Sequence, residues 1–328
     1  MLLRVGGVNE SGRGAAEKRP LVVIVGPTAV GKTEFSILLA LRVNGEVVTA
    51  DSMQVYRGLD IAAAKPTKEQ MRGVVHHLID VRDPDEEFNV AEYRLLAQRA
   101  IASIHEKGRL PVLSGGTGLY VKAVLDEFLF PDEGADPALR AELEREAART
   151  GPAALHDRLK AVDPASAARI HPHDVRRVVR ALEVYVRTGV PLSEHLKVKA
   201  APAPPYETLM FGLTRPRDEL YRRIEERVDD QIRMGLIEEV KGILARYGEP
   251  KVARQALGFK EIASYLKGEC TLEEAVYLLK RDTRRFAKRQ YTWFRKDPRI
   301  KWIRLDEFGS LEEAVDLVEA EVRAKFGL

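Results

Sequence analysis

Residues 21–33 read Leu21-Val22-Val23-Ile24-Val25-Gly26-Pro27-Thr28-Ala29-Val30-Gly31-Lys32-Thr33, an apolar run followed by a glycine-bounded loop. The run predicts a buried strand, the loop has the spacing of a P-loop, and a helix is expected to begin near Thr33. Glycines let successive N–H groups curl inward, the helix start adds positive potential, and Lys32 adds a full charge. We therefore predict that Gly26 to Thr33 bind a diphosphate and that the Thr33 hydroxyl binds Mg²⁺. A glycine-rich turn that merely joins strand to helix is the plainer alternative, and Lys and Thr at the required spacing argue against it.

Strand and helix patterns alternate on both sides of this loop. The alternation predicts a doubly wound, P-loop NTPase-like parallel sheet flanked by helices, that is, an α/β fold. Thr214 is expected to cap a helix that contains Pro216, and further helices are expected up to Tyr247 and from Leu272. The other predicted helices are 32–43 and 90–107, and the predicted strands are 21–25, 46–50, 77–81, 110–113, 208–213 and 300–305.

The middle of the chain has a different pattern. Residues 131–200 contain helical segments broken at Gly-Pro, Asp-Pro and His-Pro pairs, without a strand pattern, and a Pro-rich linker follows at 200–205. We therefore expect a flexible tail at residues 1–20, a catalytic core from 21–130 and 201–328 with C-terminal helices, and an all-helical insertion at 131–200.

Composition and charge exclude several classes of protein. The chain has 328 residues, 45% of them hydrophobic, and a formal charge of +3, so it can bury a substantial core and any nucleic-acid affinity must come from local clusters. Cys270 is the only cysteine, which excludes an intrachain disulfide and a CxxC zinc site and suits a reducing compartment. No apolar run approaches the roughly 20 residues of a membrane-spanning helix. We expect a cytoplasmic protein without membrane association.

Asp51 is the acidic residue at a strand end beside the P-loop. An ordinary P-loop ATPase has a Walker-B aspartate after a core strand, yet the strand at 110–113 leads into Ser114 and two glycines. ATP hydrolysis therefore loses support. Asp51 follows the strand predicted at 46–50 and is a candidate base or orienting acceptor next to the phosphates. The alternative is a carboxylate that only caps a helix or closes a turn.

Two basic clusters are candidates for nucleic-acid contact. Residues 280–296 contain eight Lys or Arg and one acid, interleaved with Phe286, Tyr291, Trp293 and Phe294. Such a segment can bind an RNA backbone and present aromatic surfaces to bases, but it equally fits a solvated helix whose aromatics pack on the core. Arg176, Arg177 and Arg180 form a second group on a predicted helix of the insertion.

Other polar residues have less specific patterns. Arg223 and Arg227 are four residues apart, so they share a helix face, and either could approach a diphosphate or simply pair with a surface acid. His76 and His77 lack the spacing of metal ligands, and we expect them to be structural. The same expectation holds for His171 and His173.

Seven stretches, taken together, are far more specific than the P-loop alone. They are Gly26-Pro27-Thr28-Ala29-Val30-Gly31-Lys32-Thr33, Ala50-Asp51-Ser52-Met53-Gln54-Val55-Tyr56, Ala64-Lys65-Pro66-Thr67, His76-His77-Leu78-Ile79-Asp80, Gly115-Gly116-Thr117-Gly118-Leu119-Tyr120, Ala181-Leu182-Glu183-Val184 and Phe286-Ala287-Lys288-Arg289-Gln290-Tyr291-Thr292-Trp293-Phe294-Arg295. In this order, over residues 21–303, the chain resembles the tRNA dimethylallyltransferases, also called tRNA isopentenyltransferases.

The resemblance implies transfer of a dimethylallyl group from its diphosphate to the exocyclic amine of the adenosine directly 3′ of a tRNA anticodon. It implies that Asp51 binds and deprotonates the amine, that the P-loop with catalytic Lys32 cradles the diphosphate, and that Arg227 clamps it. The implied cofactor is Mg²⁺, and the implied partners are dimethylallyl diphosphate and a tRNA anticodon stem-loop. The resemblance also implies that the helical insertion at 131–200 binds tRNA, and we expect a monomer. The implied tRNA-contact positions are Asp51, Ser52, Met53, Gln54, Thr117, Arg140, Arg176, Arg177, Val178, Val179, Arg180, Gln255, Ala256, Leu257, Gly258, Phe259 and Lys260.

Two other functions fit parts of the sequence. A P-loop kinase of a nucleoside or small molecule would use Asp51 to receive the acceptor proton and the insertion as a lid. That alternative leaves the basic aromatic segment at 280–296 without a role. A nucleic-acid-binding ATPase is weakened by the missing Walker-B aspartate.

Overall fold

The computed structural model describes residues 18–126, 136–197 and 206–328. Most of the expected N-terminal tail and the Pro-rich linker therefore lie outside the described residues. The described chain forms two compact units, one made of residues up to Leu125 together with those from Tyr206 onward, and one made of residues 126–197. The division falls near residues 126 and 204, where the sequence analysis puts it at 131 and 200.

A six-stranded parallel sheet forms the centre of the first unit. Its strand order is β3-β2-β4-β1-β5-β6, and every neighbouring pair is parallel. Residues 21–25 of the central strand are fully buried, as expected for a strand covered on both faces. The predicted α/β fold is confirmed. The strands are β1 (Arg19–Val25), β2 (Gly45–Thr49), β3 (His76–His77), β4 (Leu110–Gly115), β5 (Tyr206–Thr214) and β6 (Ile300–Arg304).

Helices cover the sheet and make up the second unit. Those of the first unit are α1 (Lys32–Arg42), α2 (Lys68–Met71), α3 (Val90–Glu106), α4 (Gly118–Leu125), α10 (Arg217–Arg233), α11 (Leu236–Tyr247), α12 (Phe259–Leu266), α13 (Leu272–Phe294) and α14 (Leu311–Phe326). Those of the second unit are α5 (Pro137–Thr150), α6 (Pro152–Val162), α7 (Pro164–Ala167), α8 (Val175–Thr188) and α9 (Leu192–Lys197). No described helix is long and apolar enough to span a bilayer.

Successive side chains of β1 point to opposite faces of the sheet, and each face has its own helices. Val22 and Ile24 belong to a core built with α1, α10 and α14. Leu21 and Val23 belong to a core built with α3 and α4. Because side chains alternate along a strand, one continuous apolar run supplies both cores.

A third apolar core holds the chain that follows β2. Val55, Tyr56 and Leu59 pack among buried side chains of α10 to α13. Glu239 on α11 accepts three consecutive backbone N–H groups, those of residues 60, 61 and 62, at 2.9, 2.6 and 2.9 Å. Burial raises the pKa of Glu239, and the three N–H bonds oppose that rise. This segment, which continues from Asp51, is therefore fixed by residues far away in the sequence.

Local backbone conformation corrects two expectations. The strand predicted at 77–81 is wrong in extent, because β3 ends at His77 and the next residue, Leu78, has a left-handed φ of 68°. Thr214 does not cap a helix. It is the last residue of β5, and α10 begins at Arg217 with Pro216 before it.

Candidate active site

The loop between β1 and α1 has the backbone of a phosphate-binding loop. Gly26 and Gly31 have φ angles of 147° and 114°, and Ala29 between them is left-handed at 63°. A Cβ on Gly26 would lie 2.7 Å from the Leu213 carbonyl oxygen, so only glycine fits this close approach to β5. The Lys32 ammonium folds back and donates to the Pro27 carbonyl at 2.8 Å.

Side chains from distant helices hold this loop in place. Gln290 of α13 accepts from the Thr28 N–H at 2.8 Å and donates to the Gly116 carbonyl at 3.0 Å, so it joins the P-loop to the loop after β4. Arg223 donates to the Ala29 carbonyl at 3.0 Å, and Arg215 donates to the Val30 carbonyl at 3.1 Å. Arg223, one of the two predicted diphosphate candidates, thus supports the loop from its carbonyl side. Sequence reasoning assigned no role to Gln290 or Arg215, although Gln290 lies within one of the quoted stretches.

Asp51 stands directly beyond the end of β2. Its Oδ1 accepts from the backbone N–H groups of Met53 and Gln54 at 2.8 and 3.3 Å, which closes a turn. Its Oδ2 has no hydrogen-bond partner among the described residues. The neighbouring Ser52 N–H donates to the Thr117 hydroxyl at 3.0 Å, and the Thr117 N–H donates to the Ala50 carbonyl at 3.0 Å. The turn and base roles proposed for Asp51 are therefore compatible, since each uses a different oxygen.

Asp51, Lys32 and Arg227 line one cavity of about 80 Å³. Burial lowers the pKa of Lys32 to about 7, with Asp51 opposing the shift and Arg227 adding to it. Burial also lowers the pKa of Arg227, again opposed by Asp51. Within the described part of the chain, neither cation has a carboxylate within 4 Å. Two buried cations without a paired carboxylate indicate a site that binds an anion of more than one charge.

The cavity continues toward solvent past Thr33 and Arg227. Both residues also line a cavity of about 310 Å³ with Arg223 and a third of about 540 Å³ with Lys65. Thr33 and Arg227 therefore stand where the small inner cavity meets the larger outer ones, which suits residues that bind a diphosphate.

The chain is similar to known proteins along most of its length. The family model described as IPP transferase matches residues 54–297, well over half of the chain. The chain belongs to this family. It is 53% identical over 309 residues to the tRNA dimethylallyltransferase of Symbiobacterium thermophilum, which covers 94% of this chain and 97% of the relative.

Two solved structures of IPP transferases are similar along most of the chain. The full-length tRNA isopentenylpyrophosphate transferase from Bacillus halodurans is 48% identical with a TM-score of 0.68, covering 94% of this chain and 98% of the other. A eukaryotic dimethylallyltransferase solved while acting on tRNA is 30% identical with a TM-score of 0.76, covering 93% and 77%. The comparisons lend no support to the kinase alternative.

The tRNA-contact positions carried over from this family differ in accessibility. Arg176 and Arg177 are exposed at the start of α8. Val178 and Val179 are buried with at most 2% exposure and pack in the core of the second unit. Ala256, Gly258 and Phe259 are buried, Leu257 is partly buried, and Gln255 and Lys260 are exposed. Contact of these positions with tRNA stays a prediction.

Arg140 and Arg180 meet at a buried carboxylate. Glu183 of α8 is fully buried and accepts from the Arg140 Nε at 2.9 Å, the Arg180 Nη1 at 2.7 Å and the Asp136 N–H at 2.8 Å. Although burial alone would raise the pKa of Glu183, these hydrogen bonds hold it below its usual range. Arg140 and the Asp136 N–H therefore link α5 to α8, whereas Arg180 pairs with Glu183 within α8.

The basic aromatic segment 280–296 has a face that packs on the core and a set of exposed cations. Phe294 is 3% exposed and belongs to the core, and Tyr291 stacks on Trp302 at a centroid distance of 5.1 Å. Lys280 and Arg284 pair with acids of α10 at 2.7 and 2.6 Å. The cations that remain exposed are Arg285, Lys288, Arg289, Arg295 and Lys296.

No group of three His, Cys, Asp or Glu in the described ranges could hold a metal ion. His77 contacts the buried Glu46 carboxylate at 2.6 Å, and His76 contacts the Val74 carbonyl at 2.9 Å. These partners agree with the structural role expected for both histidines. A divalent cation in the candidate active site would have to take most of its ligands from the substrate and water.

Proposed function

We propose that the chain transfers the dimethylallyl group from dimethylallyl diphosphate to the N6 amine of the adenosine directly 3′ of a tRNA anticodon. The observation that carries the proposal is the single cavity shared by the free Asp51 oxygen and the desolvated cations Lys32 and Arg227. The names of the closely similar relatives support the same reaction.

The chemistry follows from the charges around this cavity. An adenine amine is a poor nucleophile because its lone pair is delocalised into the ring, so Asp51 Oδ2 takes a proton from N6 as the new N–C bond forms. The allylic C–O bond breaks, and its electron pair leaves with the diphosphate. P-loop N–H groups, Lys32 and Arg227 meet the charge that develops on the leaving oxygen. Val47, Ala63 and Phe286 line the same cavity and offer apolar surface to a five-carbon chain.

Thr33 is the residue that fits Mg²⁺. Thr33 follows Lys32 and lines all three cavities. Its hydroxyl makes no hydrogen bond within the described ranges. One neutral protein oxygen suits Mg²⁺, which keeps several waters and prefers phosphate oxygens to a closed protein cage. When bound, the ion would neutralise part of the diphosphate charge.

The RNA substrate imposes a further requirement. An adenine stacked in an anticodon loop cannot reach an interior carboxylate, so the base must leave the stack at a cost of a few kcal/mol. Exposed cations such as Arg176 and Arg177 would contribute binding energy by contacting phosphates. The monomeric state and the cytoplasmic location stay predictions.

One experiment separates this function from the kinase alternative. Purified protein is incubated with Mg²⁺, unmodified tRNA and either dimethylallyl diphosphate or ATP. The tRNA is then digested to nucleosides, and their masses are measured by mass spectrometry. We expect an adenosine that has gained a C5H8 unit, formed only with dimethylallyl diphosphate. Phosphoryl transfer from ATP without any prenylated nucleoside would contradict the proposal.

A further inference from the structure

Trp293 is an exposed indole at the end of a largely buried helix face. It is 43% exposed, whereas Phe294 beside it is 3% exposed. Tryptophan is a large apolar side chain that proteins bury or use at contact surfaces. Its exposure within a basic segment therefore points to a ligand with an aromatic face.

The indole is held in a defined position by a glycine. Gly118 is the first residue of α4, and a Cβ there would overlap the Trp293 ring at Cδ1 and Nε1. The ring therefore lies directly against the backbone at the start of α4. A side chain packed in this way loses little further conformational freedom when it binds a partner.

Hydrogen bonds connect this position to the candidate active site. Thr117 precedes Gly118, and its hydroxyl accepts from the N–H of Ser52, the residue after Asp51. Gln290, three residues before Trp293 on α13, bonds both the P-loop and the Gly116 carbonyl. Residues three apart share a helix face, so the face that braces the two loops also carries the indole.

Exposed cations lie close in the sequence to Trp293 and to Gly118, the residue that its ring contacts. Arg289 and Lys296, four residues before and three after Trp293, are both exposed. Lys122 lies four residues after Gly118 on α4 and is also exposed. An aromatic surface flanked by cations is the arrangement that binds single-stranded nucleic acid, because the cations contact phosphates and the ring stacks on a base.

We propose that Trp293 is a stacking platform for an unpaired nucleobase of the RNA loop, one adjoining the extruded adenosine. The proposal rests on the proposed function, since removal of the target base from the stack leaves its neighbours without a stacking partner. The indole takes the place of that partner. Stacking tolerates any base, so Trp293 contributes affinity and leaves the choice of the target to Asp51 and its neighbours.

Intrinsic fluorescence tests the stacking directly, because the chain has only two tryptophans, Trp293 and Trp302. The protein is titrated with an anticodon stem-loop, without dimethylallyl diphosphate, in the variants Trp293→Phe and Trp302→Phe. We expect saturable quenching in Trp302→Phe, where Trp293 is the reporter, and little in Trp293→Phe. Equal quenching in Trp293→Phe, or none in Trp302→Phe, would overturn the proposal.

Kinetics supply the second readout. Trp293→Ala is expected to weaken stem-loop binding on the order of tenfold, whereas Trp293→Phe, which keeps a ring, loses much less. The KM for dimethylallyl diphosphate stays unchanged in both variants. Unchanged stem-loop affinity in a Trp293→Ala protein with normal thermal unfolding would also overturn the proposal. Failure of the proposed function would instead appear as absence of prenyl transfer by the unaltered chain.

Discussion

Asp51 lines the cavity and uses one carboxylate oxygen to close a turn, while the other has no hydrogen-bond partner among the described residues. Asparagine retains the turn acceptor but cannot take a proton. We therefore expect Asp51→Asn to lower single-turnover transfer by roughly 10²-fold or more with little change in folding or tRNA affinity. Asp51→Ala is the matched control, which loses the turn acceptor as well. Transfer by Asp51→Asn within about threefold of the unaltered enzyme would remove Asp51 from the role of base.

Lys32 titrates near neutral pH because burial lowers its pKa to about 7. Above that pH the ligand-free lysine is mostly neutral, and a bound diphosphate favours the charged form. Binding of dimethylallyl diphosphate at pH 8 should therefore take up a proton, and affinity should fall as pH rises above 7.

Calorimetry in buffers of different ionisation enthalpy measures this uptake. Lys32→Arg is the control, because arginine keeps the charge and does not titrate in this range. Protons taken up by the diphosphate itself appear in both proteins, so the difference between them reports Lys32. Equal proton uptake in the two proteins would contradict the pKa assignment.

At the scale of elements, α13 connects two loops through Gln290. The side chain is 6% exposed and satisfies both the Thr28 N–H and the Gly116 carbonyl. Gln290→Ala leaves both groups without that partner, so we expect a loss of about 1–3 kcal/mol in the free energy of unfolding and a raised KM for dimethylallyl diphosphate. Urea unfolding and steady-state kinetics measure the two effects. Lys288→Ala, an exposed change on the same helix, should alter neither stability nor the KM for dimethylallyl diphosphate. If Gln290→Ala also left both unchanged, the hydrogen bonds of Gln290 would be dispensable.

The helix pair α5 and α8 depends on Glu183. Its pKa is lowered in the folded state, so its contribution to stability is present above the usual carboxyl pKa of about 4.5 and is lost as pH falls through the lowered value. Glu183→Gln should lower stability at pH 7 and flatten the dependence of stability on acid pH. It should also weaken tRNA binding, because Arg140 and Arg180 lose the partner that positions them. The free energy of unfolding is measured at intervals of about one pH unit from pH 3 to 7. If stability fell with acid pH equally in Glu183→Gln and the unaltered chain, the prediction would be wrong.

At the scale of the whole molecule, a net charge of only +3 makes RNA binding depend on where the exposed cations lie. Arg176→Ala with Arg177→Ala should weaken tRNA binding and reduce the slope of log affinity against log salt by on the order of one to two units, while dimethylallyl diphosphate affinity stays the same. The matched control replaces Arg323 and Lys325, two cations of α14. An equal change of slope in both proteins would mean that only total charge matters.

Local patterns were sufficient to predict the strand, loop and helix of the proposed diphosphate site. The P-loop conformation depends on glycines and an apolar strand within thirteen consecutive residues. Asp51 lies just after a second strand, whose apolar residues were enough to predict it. The family resemblance then favoured Arg227 over Arg223 as the diphosphate clamp and pointed to the adenosine substrate. The strand predicted at 77–81 failed because a left-handed residue, Leu78, ends β3 in a stretch whose composition still suits a strand.

Contacts between distant residues belong to the tertiary structure alone. Gln290 bonds to Thr28, Glu183 bonds to Arg140, and Trp293 contacts Gly118 while Phe294 packs in the core. Each of these depends on which face of a helix packs inward, and that choice is made by the summed burial of many side chains. Residue types and their order therefore specify the conformation of the glycine-bounded loop after β1, whereas the hydrogen bonds that hold that loop and the exposure of single aromatic and basic side chains arise only when the helices pack.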